Sequence, residues 1–306
     1  MRQELSCVTA FSFLCVFSFK KYNLKLNNIA MFQEKVSALK AEMSHYWEQH
    51  RPSLALTRPL TELIWRLYAL WAFLMFFSFM LLCLPFIIIP IAIEERRGGL
   101  FAFYFMRLWG YAFCALSGIF FKIRGKSHLK KEETYIFVAN HNSFLDSPAI
   151  TVAIPKQFRP LGKVEILKMP IFGFIFRYIG ITVDRSSLRS RVQSLQQIKK
   201  KLQKGIHVLI FPEGTMNDSE HQLLRFQDGA FLLAIETQRP IAPMVIKNTR
   251  QMLPKNSWRL KPDWIEVEFL EPIPTAGLSN SDLPALKEKV FKQMLAKLEN
   301  TEKVSN

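Results

Sequence analysis

Acidic residues are scarce in this chain: 25 Asp and Glu stand against 41 Lys and Arg, leaving a net charge of +16 over 306 residues. That imbalance argues against cationic partners and for anionic ones, a membrane surface or an anionic substrate. Nucleic acid is the competing polyanion, but zinc-finger spacing, an RNP pattern and a recognition-helix signature are all lacking. Cysteine is equally thin. Cys7, Cys15, Cys83 and Cys114 all lie in apolar N-terminal stretches, and none has a CxxC neighbour. A disulfide framework, a thiolate metal site and cysteine catalysis are therefore excluded from the reading. No internal repeat or low-complexity tract is present.

What is abundant is apolar surface. Hydrophobic residues make up 49% of the chain, and phenylalanine occurs 27 times. Leu67 to Ile93 contains no charged residue. Its first part, Leu67 to Leu84, would run about 27 Å as a helix, close to the ~30 Å hydrocarbon core of a bilayer. Pro85 and Pro90 are expected to interrupt it. After Glu94-Glu95-Arg96-Arg97-Gly98-Gly99 comes a second apolar stretch, Leu100 to Phe121, with Arg107 its one charge. Two such segments about a polar turn predict a membrane-embedded helical hairpin over residues 61–121, spanning the bilayer twice or lying partly embedded. Basic residues at its outer ends (Arg58, Arg66, Lys122, Arg124, Lys126) favour a cytoplasmic location for those ends and the domain that follows. Residues 1–60 are read as an N-terminal extension. It is either a short interfacial segment or sequence ahead of an internal start at Met31, with an amphipathic helix over Phe32 to His50.

From about Lys122 to the end, residues 122–306, strand and helix signals alternate. Strand-like runs are Tyr135 to Ala139, His207 to Phe211 and Ile241 to Ile246, and Ile265, Val267 and Phe269 alternate with Glu266 and Glu268. Leu188, Val192, Leu195, Ile198 and Leu202 mark a helix stopped by Gly205; Leu283, Leu286, Val290, Met294 and Leu298 mark another behind a Ser281 cap. The mixture predicts an α/β domain with helices packed on a sheet. Seven basic and no acidic residues between Arg185 and Lys204 give one helix a face suited to anionic lipid, or simply to solvent.

Two polar turns follow two of these strands. The first, Asn140-His141-Asn142-Ser143-Phe144-Leu145-Asp146, sets a histidine five residues from a carboxylate. Residues five apart do not share a helix face, so the pair meets only if the chain turns between them. Asp146-Ser147-Pro148 reads as a helix start. Alone, the pair is either a cap and a turn residue or an imidazole oriented by a carboxylate, the core of a general-base site. The second turn, Phe211-Pro212-Glu213-Gly214-Thr215, exposes Glu213 at another strand end. Functional loops of α/β sheets gather at the carboxyl ends of strands, so both turns are expected in one cleft. Lys163, Lys168 and Arg185, between them, are candidates for holding phosphate. His45, His50, His128, His207 and His221 are assigned packing or surface roles.

Four blocks in order resemble the 1-acyl-sn-glycerol-3-phosphate acyltransferases over about Lys122 to Pro274. They are Asn140-His141 with Asp146; Gly162-Lys163-x-Glu165 through Pro170, Gly173 and Asp184-Arg185; Phe211 to Thr215; and Ile241-Ala242-Pro243-Met244-Val245. The resemblance implies a mixed sheet flanked by helices, a membrane location and acyl transfer from acyl-CoA or acyl-carrier protein to a lysophospholipid hydroxyl, with no metal and no further cofactor. It implies that His141 is the general base and Asp146 its orienting partner. Lys163, Arg185, Glu213, Gly214 and Thr215 would serve acceptor or phosphate binding. One departure stands out: an arginine commonly follows the threonine of the third block, and here that position is Met216. Either Arg225 substitutes for it in gripping the phosphate of lysophosphatidate, or the acceptor is another lysophospholipid or lyso-aminolipid. A non-catalytic membrane scaffold retaining the fold is the remaining alternative.

Overall fold

The computed structural model describes residues 54–169, 172–184, 186–255, 257 and 259–305. The N-terminal readings, the early apolar run and the helix over Phe32 to His50, lie outside the described residues, as does Arg185.

Leu63–Asn306 forms one compact unit, organised around a seven-stranded sheet. Its strands are β1 (Phe120–Arg124), β2 (Ile136–Ala139), β3 (Phe158–Lys163), β4 (Ile181–Val183), β5 (His207–Ile210), β6 (Ile241–Lys247) and β7 (Trp264–Phe269). The spatial order is β1-β7-β6-β2-β5-β3-β4, and every pairing is parallel except β6 with β7. The sheet is therefore mixed. Central strands β2 and β5 are buried at every position, which is why they read as unbroken apolar runs. Towards the edge, β7 buries Ile265, Val267 and Phe269 and leaves Glu266 and Glu268 half-buried, as its alternation predicts.

Successive residues of β2 feed opposite cores. Phe137 and Ala139 pack with Leu209, Met244 and Val267 under helix α3 (Asp146–Ala153) and under Phe103, Phe113 and Cys114. Ile136 and Val138 face the other way, with Val208 and Val245. They lie beneath α5 (Leu188–Gln203), α6 (Gly229–Thr237) and α8 (Leu283–Ser305). Helix α5 starts where Ser187 accepts the Ser190 N–H, and it ends before Gly205 at φ +75°. The last helix buries Leu286, Val290, Met294 and Leu298. Its start differs from the expectation, because the reciprocal cap belongs to Ser279 and Asp282 in a short turn ahead of Leu283, not to Ser281. His207 is enclosed at the start of β5, where Nδ1 accepts the Tyr135 N–H at 3.0 Å. Burial, then Lys156, pushes its pKa down to about 4, so it is neutral packing.

The N-terminal hairpin is built from α1 (Leu54–Ile93) and α2 (Arg97–Leu116). Contrary to expectation, Pro85 and Pro90 do not end the first helix. Each proline removes one N–H bond, a loss that apolar helices tolerate where neighbouring turns re-form the ladder. Phe76 meets Trp109 and Phe113 edge-on, and the Trp109 indole N–H donates to the Phe76 carbonyl. Both helices are long and apolar enough to cross a membrane. Leu67, Leu74, Leu82, Phe86, Ile89, Leu100 and Tyr104 are about half exposed or more. So continuous an apolar face suits hydrocarbon and marks a membrane protein.

The hairpin does not stand away from the sheet. A Cβ on Gly110 would lie 3.0 Å from Val152, so α2 approaches α3 closely there. Arg107 donates to the Val152 carbonyl at 3.1 Å. At the turn, Gln157 donates to the Arg96 carbonyl at 2.9 Å. Glu95 pairs with Lys201, with Lys204 at 2.8 Å and with buried Arg159 at 3.9 Å. Burial alone would raise the Glu95 pKa, but the two lysines outweigh it and bring it down to about 2.

Candidate active site

The two polar turns meet at the carboxyl ends of β2 and β5. His141 leaves β2, and its Nδ1 lies 2.8 Å from Asp146 Oδ2. The carboxylate is wholly buried, while the imidazole remains 22% exposed. Asp146 occupies the first turn of α3 but does not cap it forward. Its Oδ2 reaches back to accept the N–H groups of Asn142 at 2.7 Å and Ser143 at 2.9 Å along with the ring. The five-residue spacing thus becomes a closed loop in which one oxygen fixes both the backbone of the turn and the plane of the imidazole. One face of the ring stacks on Phe211, with centroids 4.2 Å apart and planes 19° from parallel.

Glu213 joins the turns. One carboxylate oxygen accepts the His141 N–H at 2.9 Å, and the other accepts the Leu224 N–H at 2.8 Å. The side chain is almost fully buried. Burial raises its pKa against the lowering influence of the Leu224 and His141 N–H groups. Gly214, at φ +74°, supplies the left-handed turn that leads away from it. Past that turn the Asn217 N–H returns to the His141 carbonyl at 2.7 Å. Strand β6 contributes the third wall. Asn140 bridges Ile246 through both its amide groups at 2.8 Å, and Ser143 Oγ donates to the Leu253 carbonyl at 2.7 Å.

His141, Asp146 and Glu213 therefore come together. Gly214 and Thr215 follow in the same turn, with Thr215 exposed. Lys163 ends β3 on the same edge of the sheet, beside β5, and is exposed; Lys168 is exposed on a short 3-10 turn just beyond. Arg225 is exposed next to Leu224. Met216 is buried, so its position offers no surface group at all. A residue absent from the expectations, Arg250 on the short helix α7 (Thr249–Met252), reaches the His141 turn, with Nη2 3.4 Å from Asn142 Oδ1. A cavity of about 180 Å³ bordered by Lys126, Lys156 and His207 lies at the opposite, amino edge of the strands, away from this chemistry.

An Acyltransferase family model matches residues 120–247, which contain every group just described except Arg250 and Leu253. Human 1-acyl-sn-glycerol-3-phosphate acyltransferase beta is 31% identical over 195 residues, covering 62% of this chain and 68% of that protein. The chain belongs to the 1-acyl-sn-glycerol-3-phosphate acyltransferase family. The human alpha relative is 32% identical over 182 residues, 59% of this chain. The matched part spans 64% of that relative's length. Among solved structures, the 1-acyl-sn-glycerophosphate acyltransferase PlsC of Thermotoga maritima superposes with a TM-score of 0.61. The superposition covers 77% of this chain and 98% of PlsC at 22% identity, a likeness of fold.

Proposed function

We propose that this member of the 1-acylglycerol-3-phosphate acyltransferase family moves an acyl chain from acyl-CoA or acyl-carrier protein to the free hydroxyl of 1-acyl-sn-glycerol 3-phosphate, making phosphatidate. The observation that carries the reading is the 2.8 Å contact between His141 Nδ1 and a buried Asp146 that, among the described residues, has no lysine or arginine partner. With Nδ1–H given to Asp146, Nε2 holds the free lone pair and takes the proton of the acceptor hydroxyl. The alkoxide oxygen bonds to the thioester carbonyl carbon. As the tetrahedral adduct collapses, the C–S bond breaks and the His141 proton passes to the departing sulfur. Glu213 keeps the His141 backbone in place; Lys163, Thr215 and Arg225 line the approach for an anionic acceptor, and Arg185 is assigned to the same binding from its sequence motif alone. The apolar hairpin holds the site at the membrane where both lipids reside, with the catalytic domain on the cytoplasmic side.

Met216 favours a second reading, in which the acceptor is a lysophospholipid with a larger head group. A panel of lysolipids offered with acyl-CoA and acyl-carrier protein separates the two: preference for a lysophosphodiester over lysophosphatidate would replace the first reading by the second. In the same assay, His141→Ala is expected to lower turnover about 10²–10⁴-fold while vesicle binding persists. Undiminished turnover in that variant would remove His141 as base.

A further inference from the structure

We propose that Arg250 is the cation that selects a phosphate-bearing acceptor, a role resting on the acyltransferase reading above. The loop that closes over the histidine, Met216 to His221, contains no lysine or arginine of its own. Its positive charge is inserted from α7 across the cleft. Arg250 Nη1 donates to the Ser219 carbonyl and Nη2 to the Asn217 carbonyl, each at 2.7 Å. The longer contact to Asn142 Oδ1 places the guanidinium beside the residue that follows the catalytic histidine.

Two features separate this arginine from an ordinary structural one. Its hydrogen-bond partners are all neutral oxygens, so no carboxylate bonds to it directly. Of the two acids in the same loop, Asp218 is paired with Lys255 at 2.7 Å and senses Arg250 only at longer range, Glu220 is exposed, and among the described residues Arg250 has no ion pair. Its donors are also only partly used. A guanidinium has five N–H groups; two make short bonds and one a long bond here, and the buried Nε has no partner. An arginine fixed by carbonyls, with charge and donors to spare, is organised to receive a planar set of anionic oxygens. Its mounting is rigid, since α7 follows Asn248 in a left-handed conformation and ends at Leu253, whose carbonyl Ser143 holds.

The phosphate could belong to the acceptor head group or to the CoA donor. We assign it to the acceptor, because the guanidinium touches the turn that carries the base. The test uses the full-length purified protein in vesicles, with lysophosphatidate and the uncharged 1-acylglycerol as competing acceptors. Arg250→Ala is expected to lower the ratio of kcat/KM for lysophosphatidate to that for 1-acylglycerol about 10- to 100-fold, mostly through KM. Arg250→Lys keeps the charge without the paired carbonyl bonds, and it is expected to restore much of the ratio even where stability stays low. An unchanged ratio, or a rise confined to the KM of acyl-CoA, overturns the proposal. If the wild type turns over neither acceptor, the acyltransferase reading fails. Arg250 is then judged by direct binding of lysophosphatidate, which Arg250→Ala must weaken by a similar factor for the assignment to survive.

Discussion

Glu213 shows how much of this site is spent on holding backbone. A buried carboxylate is costly, and this one is retained with both oxygens accepting backbone N–H groups from turns that lie far apart in the chain. Glutamine at this position has one acceptor oxygen where two N–H groups need one each. One of them is then left facing an amide NH₂, a penalty of about 1–3 kcal/mol. Removing a buried charge offsets part of that cost in the folded state, because burial already disfavours the ionised form. Glu213→Gln is therefore expected to lower kcat/KM about tenfold or more, with a much smaller change in thermal midpoint; unaltered turnover would contradict the positioning role. The His141–Asp146 partnership was legible in the sequence because both residues sit in one seven-residue turn. Arg250 was not, since its contacts run to loops more than thirty residues away and its immediate neighbours carry no motif. Asp146 was legible as a helix start but not in its direction. A cap and a backward-facing acceptor share the same sequence signature.

At the scale of elements, apolar runs predicted the central strands β2, β5 and β6, because a parallel centre buried on both faces leaves little freedom in composition, and alternation predicted β7; the short or polar strands β1, β3 and β4 carried no such signal. The hairpin was legible as two apolar helices, but its docking was not. Glu95 reads as one charge in a polar turn, whereas in the fold it meets Lys201 and Lys204 from the end of α5 and Arg159 from β3. Part of the basic run that suggested a lipid-facing surface is thus used inside the molecule. Glu95→Gln should loosen the hairpin turn from the sheet and cost about 1–3 kcal/mol, less than a fully buried pair because the lysines reach water. The pH dependence has a definite sign. A carboxyl held at about 2 instead of 4.5 contributes stability that is full above pH 4.5 and fades as pH falls towards 2. The gap in thermal midpoint between wild type and Glu95→Gln should accordingly be present at pH 7 and shrink at pH 3. A gap independent of pH would show that the charge is not what matters.

For the whole molecule, these contacts decide how the protein meets a bilayer. The second hairpin helix leads through Ile119 directly into β1, so its carboxyl end is fixed to the sheet. Its amino end is fixed as well, through Glu95 and through the Gln157 bond to Arg96. A 20-residue helix about 30 Å long, tied to one domain at both ends and along its length by Arg107, cannot place its turn on the far side of a membrane from that domain. Composition alone allowed two crossings; a helix held in this way is expected instead to enter one leaflet sideways, with its exposed leucines and phenylalanines towards the acyl chains and the His141 edge towards the head groups. Single cysteines at Arg97 in the turn and at Asp218 near the site, in a chain whose own four cysteines are replaced by alanine, test this in sealed vesicles. Both positions should react with a membrane-impermeant thiol reagent from the same side. Labelling from opposite sides would require the Glu95 cluster and the Gln157 bond to be broken in the membrane, and the hairpin would then cross it.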